Sequence, residues 1–137
     1  MSPARREALV LYALVALGAA IGGTLRALVS LALGATAFPW ATLAVNALGS
    51  FAIGLYAGLT GPEGRLLASG RSRQFVMTGI CGGFTTFSLF GLETVRLATR
   101  APTLAALYVG LSLLLWFAAV WYGDTLAARL NRPRRTT

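Results

Sequence analysis

Four long apolar runs, parted by short polar or glycine- and proline-rich stretches, organise the 137-residue chain. The first, Ala8 to Leu25, carries 18 residues without a charge, enough for a helix to cross the hydrocarbon core of a bilayer. Apolar character continues more weakly past Arg26 to Leu33, so the first span is placed at 8–32. Gly34 to Pro39 reads as a turn. Pro39 suits the first turn of a helix and Trp40 a membrane interface, which predicts a second helix over 40–59. Gly61, Pro62, Glu63 and Gly64 end it, and the connection through Arg65, Arg71 and Arg73 is polar enough for the aqueous side. A third helix is predicted over 72–98, a turn at Arg100, Ala101 and Pro102, and a fourth helix over 103–126. The residues from Arg129 on, with Arg132, Arg134 and Arg135, read as a disordered tail. The fold class is an all-α membrane protein: one domain over 1–137, with four transmembrane helices.

The third run is the unusual one. Within GICGGFTTFSLFGLE, Gly79, Gly82 and Gly83 stand just before Thr85, Thr86 and Ser88, a poor composition for an uninterrupted helix. In hydrocarbon each unmade backbone hydrogen bond costs several kcal/mol, so broken backbone survives only inside protein, beside water or on an ion. The pattern predicts a helix that stops near Gly82, bares carbonyls, and restarts around Thr85. The restarted half carries Phe87 and Phe90 on one face.

Composition supports the membrane reading. Hydrophobic residues make up 56% of the chain, charged ones 12%, and mean hydropathy is +0.70. There is no histidine and a single cysteine, Cys81, which excludes a His- or Cys-clustered metal site and an internal disulfide. The acidic residues are Glu7, Glu63, Glu93 and Asp124; only Glu93 adjoins the candidate site, which argues against a paired-carboxylate enzyme. All twelve basic residues are arginines, set at the edges of the apolar runs. That distribution marks topology rather than nucleic acid binding. Arg5 and Arg6 before an apolar run also resemble a secretory signal, but no polar mature domain is expected after it.

With four spans, the side of the termini holds nine arginines and the other side three, Arg26, Arg96 and Arg100. Taken alone, that bias puts the termini in the cytoplasm. Small residues at Gly18/Gly22, Gly54/Gly58 and Gly79/Gly83 are spaced to let helix backbones approach closely.

Several neutral polar groups fall at membrane depth. Asn46 lies mid-span, with Thr42 one turn before it and Ser50 one turn after, all on one face. The fourth helix offers Tyr108 and Ser112, one turn apart; the third offers Thr85, Thr86 and Ser88. These groups fit interhelical hydrogen bonding. They also fit a small ion, stripped of most of its water and held by dipoles and donors. Phe87 and Phe90 fit core packing, or an anion lying at the positive edges of their rings. A proton-coupled transporter would bury a titratable group, and none is found mid-span.

NALGSFAIG around Asn46, GGTLR around Arg26 and, most specifically, GICGGFTTFSLFGLE resemble the Fluc/CrcB fluoride channel family. The likeness runs from the arginine of the first helix through the fourth helix. It implies a four-helix subunit paired with an inverted copy of itself, an antiparallel homodimer enclosing two pores that export fluoride passively from the cytoplasm across the inner (plasma) membrane. It also implies a structural sodium ion on the two-fold axis, held by the carbonyls of Gly82 and Thr85 from each copy. Phe87 and Phe90 would line the pores and Asn46 would be the amide facing them. Tyr108 and Ser112 would begin a hydroxyl track on the fourth helix, which Trp116 one turn on interrupts. Arg26 would lie near the pore mouth and Glu93 at a vestibule, with Thr42, Thr86 and Ser88 beside the route. The expected partners are therefore fluoride, sodium, a second copy of the chain and lipid. An inverted pair made from one gene needs a weak topology bias, so the arginine count implies either charges too far from the helix ends to act or a partner inserted the other way. Two other readings remain open: a small four-helix drug/proton antiporter, which would want a carboxylate inside the first helix, and a non-conducting packing protein.

Overall fold

The structure, a computed structural model, describes residues 2–34 and 36–132; Arg134 and Arg135 of the expected tail lie outside them. Among the described residues every regular element is helical. Helix α1 spans Pro3–Leu33 and α2 spans Trp40–Leu59. The third membrane segment comes in two pieces. The first, α3 (70–84), begins with an α-helical turn at Gly70–Arg73, widens to a π-helix over Gln74–Cys81 and closes at Gly82–Phe84. The second, α4, spans Phe87–Arg100. Helix α5 spans Pro102–Asn131. Four segments, α1, α2, α3 with α4, and α5, are long and apolar enough to cross a membrane.

Local chemistry explains the ends. Ser2 caps α1 by accepting the Arg5 amide, and Pro3 fills the first turn, where its missing N–H costs nothing. Gly34 closes α1 at φ +66°, the left-handed region that suits glycine. Ser69 caps α3 through the Ser72 amide at 3.2 Å. Pro102 opens α5 as Pro3 opens α1.

The second helix is found where the pattern placed it. The others run longer. Helix α1 begins inside the polar start, since Ser2 and Pro3 are good starting residues. The third segment covers Gly70–Arg100. Helix α5 continues through Arg129 to Asn131, which corrects the expected start of the disordered tail at Arg129. The reason is tertiary: Asn131 Nδ2 donates to the Gly58 carbonyl at 3.0 Å, and Asn131 Oδ1 accepts the Arg65 amide at 3.0 Å.

Two helix seams organise the packing. Helix α1 lies against α3, and α2 against α5, with α4 packed on α5. Glycine makes both seams possible. A Cβ on Gly18 would stand 2.6 Å from the Phe75 carbonyl oxygen, and one on Gly79 would stand 2.9 Å from the Gly18 Cα. In the other seam a Cβ on Gly58 would meet the Ala127 methyl at 2.6 Å. The three small-residue pairs therefore mark the helix contacts, as their spacing predicts.

One end of the molecule gathers the start of α1, the end of α2, the start of α3 and the end of α5. There Arg71 forks onto Glu7, with Nε–Oε1 at 2.8 Å, and Arg73 Nη1 donates to the Thr60 carbonyl at 2.7 Å. The other end gathers the α1–α2 turn with the α4–α5 turn.

Candidate functional site

The break in the third segment falls at Thr85 and Thr86, both extended, at φ −81°, ψ 161° and φ −150°, ψ 116°. This corrects the expected position by a few residues: the first half runs to Phe84 and the second begins at Phe87. Asn46 explains the shift. Its Oδ1 accepts the Thr86 amide at 2.7 Å and its Nδ2 donates to the Thr86 carbonyl at 2.9 Å. One side-chain amide, deep in α2 where a lone amide would be costly, thus meets both main-chain polar groups of the unwound Thr86.

These bonds decide what is left bare. In an unbroken helix the Thr86 amide would bond the Gly82 carbonyl and the Leu89 amide the Thr85 carbonyl. The first amide goes to Asn46 instead, and the second to the Thr86 hydroxyl at 3.2 Å, which caps α4. The carbonyls of Gly82 and Thr85 thereby lose their regular donors. The Cys81 carbonyl is doubly engaged, by the Thr85 amide at 3.0 Å and the Thr85 hydroxyl at 2.9 Å.

Gly82 and Thr85 open onto a cavity of about 290 Å³ shared with Asn46, Ser50, Phe87 and Trp116. The wall is mostly apolar and carries neither a carboxylate nor a basic side chain. Phe87 stands 75% exposed at its edge, whereas Phe90 is 6% exposed. Their ring centres are 5.6 Å apart, so the expected aromatic pair exists, with one ring buried and one open. Phe90 also packs on Tyr108 at 5.2 Å and edge-on to Trp116 at 4.9 Å.

A second polar cluster lies toward the α1–α2 turn. The Glu93 carboxylate accepts the Thr42 hydroxyl at 2.9 Å on one oxygen and the Tyr108 hydroxyl at 2.8 Å on the other. Thr42 and Tyr108 are 2% and 0% exposed. Glu93 also borders a cavity of about 540 Å³ edged by Arg96 and Arg100. The face of Thr42, Asn46 and Ser50 thus serves three neighbours: Thr42 meets Glu93, Asn46 meets Thr86, and Ser50 lines the cavity at the break. Ser88 lies at the surface, its hydroxyl 3.4 Å from that of Thr86. Arg26 sits half-buried on α1 and lines neither cavity. Ser112 is fully buried on α5, one turn from Tyr108.

The sequence did not announce that Asn46 reaches the main chain of Thr86, or that Glu93 gathers two hydroxyls. Both join residues 40 or more positions apart, except Tyr108 with Glu93 at 15, and no local pattern carries such pairings.

The comparison that decides the family is a match over residues 13–124 to the model described as CrcB-like protein, Camphor Resistance (CrcB). The chain belongs to the CrcB family. Among CrcB-family relatives, a protein of Rhodopseudomonas palustris named fluoride-specific ion channel FluC 1 is 56% identical over 135 residues, covering 96% of each chain. A protein of Bradyrhizobium diazoefficiens with the same name is 51% identical over 137 residues, covering 98% of this chain and 96% of its own. A third, from Paramagnetospirillum magneticum and named fluoride-specific ion channel FluC, is 53% identical over 125 residues, or 88% of this chain and 98% of its own. With four membrane-capable segments, this CrcB-family chain is a multi-pass membrane protein.

Proposed function

We infer that this CrcB-family protein is a fluoride-specific ion channel, acting passively in the inner membrane. The names of relatives up to 56% identical give the ion, and one observation carries the mechanism: Asn46 pairs with the main-chain N–H and C=O of Thr86 and holds the third membrane segment open.

The pore-forming assembly is two copies in antiparallel orientation, with fluoride leaving the cytoplasm through two pathways. Support comes from the break itself. Gly82 is exposed, and its carbonyl has lost its helical donor inside a membrane-spanning segment. Hydrocarbon does not tolerate that, and a second protein surface would cover it. A second copy supplies the matching broken segment.

The same carbonyls fit a structural sodium ion. Gly82 and Thr85 offer neutral main-chain oxygens, with no His, Cys, Asp or Glu cluster of three among the described residues to draw a transition metal. Two oxygens from one chain are too few for a hard cation, and two from an inverted copy complete a set. When bound, the ion supplies an electrostatic link between the subunits.

Along the conduction path this chain's residues offer weak, successive contacts. Asn46 spends one amide hydrogen on Thr86 and keeps a second to donate. Phe87 and Phe90 present ring edges, whose positive rim attracts an anion. Tyr108 and Ser112 extend the route on α5. Thr42, Thr86 and Ser88 flank it, and Glu93 with Arg96 and Arg100 frames a vestibule. Arg26 acts at the mouth only once a second copy is present. The wall without carboxylates or basic side chains at the break suits passive conduction, since no such group there couples fluoride to protons.

Purified protein in liposomes loaded with fluoride tests the reading. Fluoride efflux, followed by electrode, exceeds that of empty vesicles, while chloride efflux does not. A folded, reconstituted protein that releases neither ion overturns the assignment.

A further inference from the structure

Two buried side-chain polar atoms have no hydrogen-bond partner among the described residues: Ser112 Oγ and Trp116 Nε1. They lie one turn apart on α5 and so share a face. Buried donors in native interiors are nearly always satisfied, so two orphans side by side indicate a partner that comes from outside the chain. Trp116 lines the cavity at the helix break, together with Asn46, Thr86 and Phe87. Its ring meets Phe90 edge-on, 4.9 Å between centres at 68°. The indole therefore continues the line of rings that starts at Phe87.

The chemistry of the two groups narrows the partner. An indole nitrogen only donates, whereas a hydroxyl donates or accepts as its neighbour requires. The pair therefore selects an acceptor and offers nothing to a metal cation beyond one hydroxyl oxygen. A charged acceptor gains most, because hydrogen bonds to an ion are the strong ones. A monatomic anion can receive both donors from one point.

We propose that the Trp116 indole N–H and the Ser112 hydroxyl form an anion-binding station on the conduction path, with Trp116 as a specificity-determining donor. The proposal rests on the fluoride reading above. A bulky residue that interrupts the run of hydroxyls on α5 is thus a donor in its own right.

The test has two arms on the full-length protein. In liposomes, Trp116→Phe keeps an aromatic ring at the site while removing the N–H together with the second ring of the indole. Fluoride efflux falls roughly ten- to a hundredfold, the size of one hydrogen bond to a charged acceptor. In detergent, ¹⁵N-labelled indole resonances of the wild-type protein are followed during titration with fluoride and then chloride. Fluoride moves the Trp116 indole resonance and leaves those of Trp40 and Trp121, and chloride moves none. If wild-type protein conducts fluoride while Trp116→Phe conducts equally well, or the Trp116 resonance stays still, the station is overturned and the channel reading stands. If wild-type protein conducts no fluoride, both fall together. Should Trp116→Phe fail to fold, the wild-type titration decides.

Discussion

Asn46 makes two bonds to the main chain of one residue, Thr86, and both its meaning and its vulnerability follow from that. Replacing it with alanine strips the Thr86 amide and carbonyl of their partners at once. Each buried unsatisfied group costs about 1–3 kcal/mol. The chain has one escape: Thr86 can return to helical geometry and bond the Gly82 carbonyl. That repair removes the bare oxygen. Asn46→Ala is therefore expected to slow fluoride efflux and to erase any dependence of thermal stability on sodium, measured by paired melts in sodium and in a bulky organic cation. A variant that keeps wild-type efflux and sodium dependence would show that Asn46 only packs. At this scale the sequence exposes which residues are costly, because an amide or hydroxyl inside an apolar run is visible by inspection. It hides the partners. Thr42, Asn46 and Ser50 look like one stripe, and only folding sends them to Glu93, to Thr86 and to a cavity wall.

Helix boundaries follow a different logic. The second helix was legible to the residue because Pro39, Trp40 and the Gly61–Gly64 stretch punctuate it on both sides. The break in the third was legible in kind, from glycines followed by hydroxyl residues, but its place was not. The break sits where Asn46 reaches across, and the π-helical turns over Gln74–Cys81 have no sequence mark. The end of α5 was missed because a tertiary clamp by Asn131, rather than hydrophobicity, extends it. The seams give a prediction free of functional assumptions. A Cβ on Gly22 would collide with the main chain of Ile80 and Phe84, whereas one on the adjacent Gly23 meets nothing within 4 Å. Gly22→Ala should lower stability by about 1–3 kcal/mol, the usual cost of overpacking. Gly23→Ala should leave the melting temperature unchanged or slightly raised, since alanine is the better helix former. Equal melting of the two variants would mean that the α1–α3 seam is looser than the backbone contacts imply.

At the scale of the molecule, one subunit leaves a problem that the proposed assembly would solve. Its outer faces are apolar, with Leu31, Leu114, Phe117 and Trp121 strongly exposed, which suits lipid. The helix break does not suit lipid: Gly82 is exposed there with an unbonded carbonyl. If two inverted copies meet at this point and share a sodium ion through Gly82 and Thr85, assembly and ion are thermodynamically linked. An ion that binds the paired state and not the separated one stabilises the pair by RT ln(1 + [Na⁺]/Kd), about 2.7 kcal/mol at a hundredfold excess over Kd. Replacing sodium by a bulky organic cation at constant ionic strength should therefore shift the protein toward single subunits on size exclusion and lower its melting temperature. Restoring sodium should reverse both. Constant ionic strength matters because seven of the described arginines lie toward one end of each subunit, and a mere change in screening would alter their repulsion. In an inverted pair those clusters lie on opposite faces of the membrane, so pairing itself adds little repulsion between them. A parallel pair would bring them together and would strengthen as salt rises. Sodium-specific pairing that is indifferent to total salt thus supports the inverted arrangement, and pairing that follows ionic strength alone would remove both the ion and the inversion.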